Sequence, residues 1–116
     1  MAVTVEAFSG TETVGGTEWS MTTDTAGPDV DTTTGIFQPF IDLNALQAGD
    51  VFEFAVYEKC KTGSTQRKVY TARFADAQGA PVWPGPSLIL GVGWDMTLKK
   101  ISGTDRAIDW RISKVA

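Results

Sequence analysis

The sequence predicts an all-β protein: a two-sheet antiparallel β-sandwich, folded as a single domain over residues 1–116. Apolar and polar residues alternate with period two in segment after segment, and no window sustains the i, i+3, i+4, i+7 spacing of a long amphipathic helix. A chain of this length forms one good core, whereas two domains would each be poorly cored. Eight or nine strands suit a jelly-roll or an immunoglobulin-like sandwich, and the pattern does not choose between them.

Two strands are predicted in the N-terminal third. Alternation of Val with Thr or Glu begins at Val3 and predicts a first strand that ends at residues 9–10, Ser-Gly. A second strand over residues 17–22 places Trp19 and Met21 on one face.

Residues 23–35 predict a long loop, because Thr, Asp, Gly and Pro dominate and a single Val cannot supply a packed element. Loops of this length in compact domains are often functional, so contact with a partner through Asp24, Asp29 and Asp31 is the first hypothesis. The three aspartates could also chelate calcium. Their spacing fits no EF-hand, so we predict no metal site.

Residues 36–41 predict a strand in which Pro39 indicates an edge or bulge position. The next nine residues, 42–50, predict one short helical turn. The residues expected to shape this turn are Asp42 as its cap, Leu43 and Leu46 as its inward side chains, and Gly49 at its end.

The strongest strand signal covers residues 51–58, where large apolar residues alternate with polar or small ones. Residues 68–75 predict its return partner, and the polar segment 61–66 with its glycine predicts the turn of a hairpin.

Residues 79–86 predict a stiff, partly extended loop, because three prolines restrict themselves and the residues before them. Trp83 is its one large apolar group. Two interpretations stay open: Trp83 and Pro84 contact a partner, or the indole folds back as a lid over the sandwich.

Three more strands are predicted before the C-terminus. Residues 87–90 predict a short strand, and residues 94–99 and 108–113 predict a hairpin with one apolar face around a turn at 102–106. Trp94 and Trp110 fall on that apolar face, as core residues do.

Charge is unevenly distributed along the chain. Residues 1–58 hold ten acidic residues and no Lys or Arg, whereas residues 59–116 hold all ten basic residues and four acidic ones. Either the halves neutralise each other across strands, or the molecule is dipolar and favours head-to-tail contacts. The net charge of −4 argues against nucleic acid, and the cluster of Arg67, Lys68 and Arg73 is too small to change that.

Side chains for catalysis are few. The chain has no histidine, which removes the commonest general base and the usual zinc ligand. Two carboxylate pairs, Glu53 with Glu58 and Asp95 with Asp109, could in principle serve a glycosidase. Acids that alternate with apolar residues normally form the solvent face of a sheet, so we predict no catalytic residue and no cofactor.

The lone Cys60 gives no disulfide framework and suits a chain made in a reducing cytosol. The N-terminus does not have the pattern of a signal peptide, and no apolar run reaches the length of a membrane helix. We expect neither export nor a membrane partner.

Several segments carry a family resemblance. They are residues 42–50 leading into 51–59, residues 63–67 leading into Val69 and Tyr70, residues 83–90, and residues 93–100 followed by 103–106 and Trp110. Over residues 36–116 the chain resembles small virion proteins of tailed bacteriophages.

The resemblance implies a non-enzymatic structural protein of the phage particle, assembled in the host cytoplasm. The first choice is a capsid decoration or cement protein that binds the major capsid lattice in many copies, and a homo-oligomer is compatible with that role. A neck, tail or fibre-associated protein is the alternative within the particle. From another class, a carbohydrate-binding β-sandwich could stack sugars on an exposed indole, for which only Trp83 is free.

Overall fold

The computed structural model describes residues 2–115, which contain nine strands and no helix long and apolar enough to cross a membrane. The strands are β1 Val3–Val14, β2 Trp19–Ser20, β3 Gly35–Asp42, β4 Val51–Lys59, β5 Gln66–Ala75, β6 Val82–Pro84, β7 Leu88–Leu90, β8 Asp95–Ser102 and β9 Arg106–Val115. Their number and alternation agree with the prediction of an all-β chain.

The strands form two antiparallel sheets packed face to face. Sheet A has the order β1-β9-β3-β6, with β7 also paired to β3, and sheet B has the order β2-β8-β4-β5. The pairs are nested: β1 with β9, β2 with β8, β3 with β6 and β7, and β4 with β5. The two packed sheets confirm the predicted β-sandwich. Strand pairs nested in this way and divided between two sheets form a jelly roll, so this is the alternative that applies.

The core lies between the sheets and is built from the inward side chains of both. The largest side chains that are fully buried include Phe37, Phe52, Phe54, Met21, Met96 and Trp94. Burying each such side chain contributes about 1.5–3 kcal/mol. Trp19 and Trp94 are buried as predicted, whereas Trp110 is half-buried at the side of the core.

Strand β1 is longer than predicted. It continues through Ser9 and Gly10 to Val14, because both residues keep their pairing with β9. The irregularity in the pairing falls earlier, between Thr4 and Phe8. Glycine therefore marks no break here.

Pro39 does not lie on an edge strand, so the edge alternative is wrong, whereas the bulge alternative fits, because residues 38–39 face the three residues 85–87. Strand β3 has β9 on one side and the two short strands β6 and β7 on the other. Pro39 sits in the gap between β6 and β7, where its carbonyl oxygen accepts a 2.8 Å hydrogen bond from Gly85 N–H. Because the N and O of one strand residue point the same way, the nitrogen without a hydrogen faces this gap and breaks no ladder bond.

Residues 43–50 form two tight turns instead of the predicted helical turn. Leu46 N–H donates to Leu43 O at 3.1 Å, and Asp50 N–H donates to Gln47 O at 3.1 Å. Gly49 has a φ of +88°, which ends the segment. Leu43 and Leu46 are buried, as predicted.

The hairpin of β4 and β5 is confirmed, but the predicted hairpin of the last two strands is wrong. Strand β8 belongs to sheet B and β9 to sheet A, so residues 103–105 cross from one sheet to the other. Asp50 holds this crossing: its carboxylate accepts from Thr104 N–H at 3.0 Å and from Arg106 Nε at 2.6 Å. A Cβ on Gly103 would lie 2.2 Å from Asp50 Oδ1, so only glycine fits there.

Candidate interaction surfaces

Four aliphatic side chains form a row across the outer face of sheet A. The pairing aligns Val3 with Val115, Val115 with Ile36, and Ile36 with Ile89, so the row crosses β1, β9, β3 and β7. Their neighbours along the strands, such as Phe37 and Leu90, point into the core instead. With strands about 4.8 Å apart, the row is about 14 Å long. We call it the aliphatic row.

The aliphatic row is open to solvent. Ile89 is 84% exposed, Val3 63% and Ile36 39%. Gln38 and Ser113 follow it on the same face as the next cross-strand pair, and Arg111 then lies 4.0 Å above the ring of Phe40. A contiguous apolar patch beside polar groups is the usual appearance of a protein interaction surface.

The long loop covers the outer face of sheet B. Asp95 and Thr97 point away from the core, yet Asp95 is 0% exposed. Asp29 N–H donates to Asp95 Oδ2 at 2.7 Å and Thr22 Oγ1 to Asp95 Oδ1 at 2.8 Å, which ties the loop to β8. Gln66 Nε2 adds a 2.6 Å bond to the carbonyl oxygen of Asp29. This segment is a loop, as predicted, and these hydrogen bonds hold it against sheet B.

Asp95 is the anchor of this arrangement. Burial raises the pKa of Asp95, and hydrogen bonds from Asp29 N–H, from the hydroxyls of Ser20 and Thr22 and from Met96 N–H oppose that rise. A buried carboxylate with this many donors is a polar network that fixes one loop conformation.

The three aspartates predicted to contact a partner do not converge. Asp24 is exposed and accepts from Trp19 Nε1 at 2.9 Å. Asp29 accepts from two threonine hydroxyls of the loop, which lower its pKa. Asp31 makes two 2.8 Å backbone bonds with Trp94. Within residues 2–115 no group of three or more Asp, Glu, His or Cys side chains is arranged to hold a metal ion.

Trp83 and Pro84 point in opposite directions from β6. The indole of Trp83 lies edge-on against Phe54 at 5.3 Å and Phe74 at 4.9 Å between ring centroids, and is half-buried. Pro84 is exposed and pairs in register with Phe40 on the outer face of sheet A. Of the two interpretations of Trp83, this packing supports the lid, which also leaves the indole poorly placed to stack a sugar.

Neither carboxylate pair considered for catalysis has a suitable geometry. Asp95 and Asp109 lie on opposite outer faces of the sandwich, Asp95 on β8 and Asp109 on β9. Glu53 and Glu58 are five residues apart on β4, about 16 Å along a strand. Glu53 is also bound by Arg73 at 2.9 Å, which lowers its pKa. Two carboxyls that act on a glycosidic bond are about 5–10 Å apart.

Ion pairs connect the two halves of the sequence in part. Glu53 pairs with Arg73 and with Lys68 across β4 and β5, and Asp50 pairs with Arg106. These contacts support neutralisation across strands for those cations. Cys60 is exposed in the connection from β4 to β5.

Sequence reasoning missed the polar network on sheet B. Besides Asp95, it contains Glu18, whose Oε2 accepts from Tyr57 OH at 2.6 Å and from Thr97 Oγ1 at 2.7 Å. Burial, together with the bond to Glu18, raises the pKa of Tyr57. Alternation assigns all of these side chains to a solvent face. Only the length of the loop predicted over residues 23–35 could have indicated that a segment covers this face of sheet B.

No family model matches this chain, and no curated protein or solved structure matches it.

Proposed function

We propose that this chain is a non-enzymatic structural protein of a tailed-bacteriophage particle, bound to the major capsid lattice as a decoration or cement protein. The observation that carries the proposal is the aliphatic row. Its four side chains lie in register on an open sheet face, where Val3, Ile36 and Ile89 each stay more than a third exposed and so leave apolar area that the isolated molecule does not bury. A partner surface would bury them at about 25 cal/mol per Å² of apolar area.

The fold and the resemblance add support of a different kind. Jelly rolls recur in viral capsid proteins. This likeness of fold is an analogy and does not identify a binding site. The resemblance over residues 36–116 includes Ile36 and Ile89 of the row. A row of this size gives a modest contact for one copy. Many copies on a repeating shell would bind firmly if neighbouring contacts act together through effective concentration.

Immunogold electron microscopy tests the location. An antibody raised against the recombinant chain is applied to particles purified from the lysate of the source culture. The proposal expects gold over the whole head. Gold confined to the neck or tail would support a location in the phage particle but overturn the cement role. Unlabelled particles from a culture that makes the chain would overturn both the location in the particle and the cement role.

A surface variant tests the aliphatic row itself. Ile89→Lys places a charge in the row at its most exposed position, and Val69→Lys is the matched control on β5 of the other sheet, where the valine is 54% exposed. Both should leave the melting temperature unchanged, because exposed substitutions usually alter stability by less than about 0.5 kcal/mol. Co-sedimentation with particles that lack the protein measures binding. The affinity of Ile89→Lys for these particles should be at least tenfold weaker than that of the wild type, whereas Val69→Lys should bind like the wild type. Equal binding by the two variants would remove the row from the proposal.

A further inference from the structure

The two long edge strands leave one side of their backbone unpaired. Within residues 2–115, β1 pairs only with β9 and β5 pairs only with β4. They lie on opposite sides of the sandwich: Trp110, on the neighbour of β1, contacts Trp19 of β2, whereas Trp83 of β6 contacts Phe74 of β5. An open edge is a template for a strand from another molecule.

The β1 edge is acidic. Strand β1 carries Glu6 and Glu12 and no basic residue, and Asp24 lies close to Glu12. Three cations on the neighbouring strand β9 could offset this charge. Arg106 is paired with Asp50, and Lys114 lies over Phe37. Arg111 stacks over Phe40 and lines the same depression as Glu6, so it offsets part of the charge, while Glu12 and Asp24 keep this edge acidic.

The β5 edge is basic. Arg67, Lys68 and Arg73 are all exposed on this strand, which has no acidic residue. Glu53 on β4 is the one carboxylate paired with them among the described residues, and it is shared by Lys68 and Arg73. The edge therefore keeps a net positive charge.

We propose that copies of this chain associate head to tail, with β1 of one copy adding to β5 of the next. Charges on edge strands commonly prevent association. Here they oppose β1 against β1 and β5 against β5, because like charges would face each other, but they favour β1 against β5. Such a contact is heterologous, so it closes into a ring or continues as a filament. It goes beyond the proposed function, because it concerns contacts between copies and not the contact with a shell.

Sedimentation velocity on the wild-type chain gives the first test. The average mass should rise with protein concentration and fall when salt is added, because ions screen exposed charges beyond a Debye length of about 10 Å at 0.1 M. A mass that stays monomeric at every concentration in low salt would overturn the proposal.

A charge exchange gives the second test. Glu6→Lys with Glu12→Lys makes both edges basic, and Arg67→Glu with Lys68→Glu makes both edges acidic while leaving the Arg73 bond to Glu53 in place. Each double variant alone should be monomeric. An equimolar mixture should recover the wild-type mass, because every β1 then meets a β5 of opposite charge. A mixture that stays monomeric, or a double variant that associates like the wild type, would contradict the pairing.

Circular dichroism melting shows whether the double variants are folded. If either double variant does not fold, the single substitutions Glu6→Lys and Arg67→Glu replace it in the same mixing experiment, with a smaller recovery of mass expected.

Discussion

Asp95 on β8 and Asp29 in the long loop are joined across 66 residues of sequence by a 2.7 Å bond from the Asp29 backbone N–H to Asp95 Oδ2. The bond turns an acidic, threonine-rich segment into a fixed cover over sheet B. Ordering a loop of this composition costs conformational entropy, and this bond helps to offset that cost.

Asp95→Ala should release this loop. The substitution leaves the N–H groups of Asp29 and Met96 without their acceptor, and an unsatisfied buried donor costs about 1–3 kcal/mol. We expect the free energy of unfolding to fall by about that amount, and hydrogen exchange at the Asp29 amide to become much faster. Urea denaturation and exchange mass spectrometry measure the two effects.

The control for this change is Asp109→Ala, which removes an exposed aspartate from the other sheet. It should leave both exchange in residues 23–34 and stability nearly unchanged. If Asp95→Ala behaved like this control, the carboxylate would not be the anchor of the loop.

Trp83→Ala should lower stability because the indole packs on Phe54 and Phe74. A fully buried tryptophan costs about 3–5 kcal/mol on truncation, and a half-buried one should lie at or below the lower end. Val82→Ala on the same strand, at a 53% exposed position, is the matched control and should cost little. If Trp83→Ala melted like the wild type, the indole would not be a lid on the core, and the interpretation as a partner contact would be favoured.

Trp110 offers a separate test, because its Nε1 is buried and has no hydrogen-bond partner among the described residues. Trp110→Phe should be close to neutral: the smaller ring loses contacts, but the relief of an unpaired donor, about 1–3 kcal/mol, offsets that loss. Trp110→Ala should cost about 3 kcal/mol by emptying the site beside Trp19. Equal destabilisation by both variants, in guanidinium denaturation, would show that the indole N–H is satisfied in solution.

The sequence predicts most of the strands and the hairpin of β4 and β5, but not how β8 and β9 are paired. The alternation in β8 and β9 predicts two strands with one apolar face each, and that pattern is the same whether the strands lie side by side or face each other across a core. The turn contains Gly103, which suits a hairpin equally well. The crossing is held by contacts from distant segments, such as the bond from Arg106 to Asp50, more than fifty residues away.

The surfaces were predictable only in part. Residues 23–34 form a loop, as their composition predicts, and Gly35 already begins β3. Nothing in the alternation of β8 indicates that Asp95 is buried, because burial depends on a cover from a distant segment. The aliphatic row was equally hidden: Val3, Ile36 and Ile89 come from separate segments, and only the register of four strands brings them into line.

The pair of Asp50 and Arg106 makes stability depend on pH in a definite direction. The bond from Arg106, helped by the N–H groups of Thr104 and Gln47, lowers the pKa of Asp50 to about 2 from a usual value of 3.8. A carboxyl whose pKa is lower in the folded state stabilises the fold above its unfolded pKa and loses that contribution as pH falls. Wild-type stability should therefore decline between about pH 4 and pH 2.

Arg106→Met removes the largest cause of this shift, so the pKa of Asp50 should rise and part of the pH dependence should disappear. The difference in unfolding free energy between wild type and variant should be largest above pH 4 and should narrow as pH approaches 2. Urea denaturation across this range measures it, with Lys100→Met, which breaks the more exposed pair with Asp105, as the control. A gap between wild type and Arg106→Met that stays constant with pH would mean that Arg106 acts through packing of its side chain and not through the charge of Asp50.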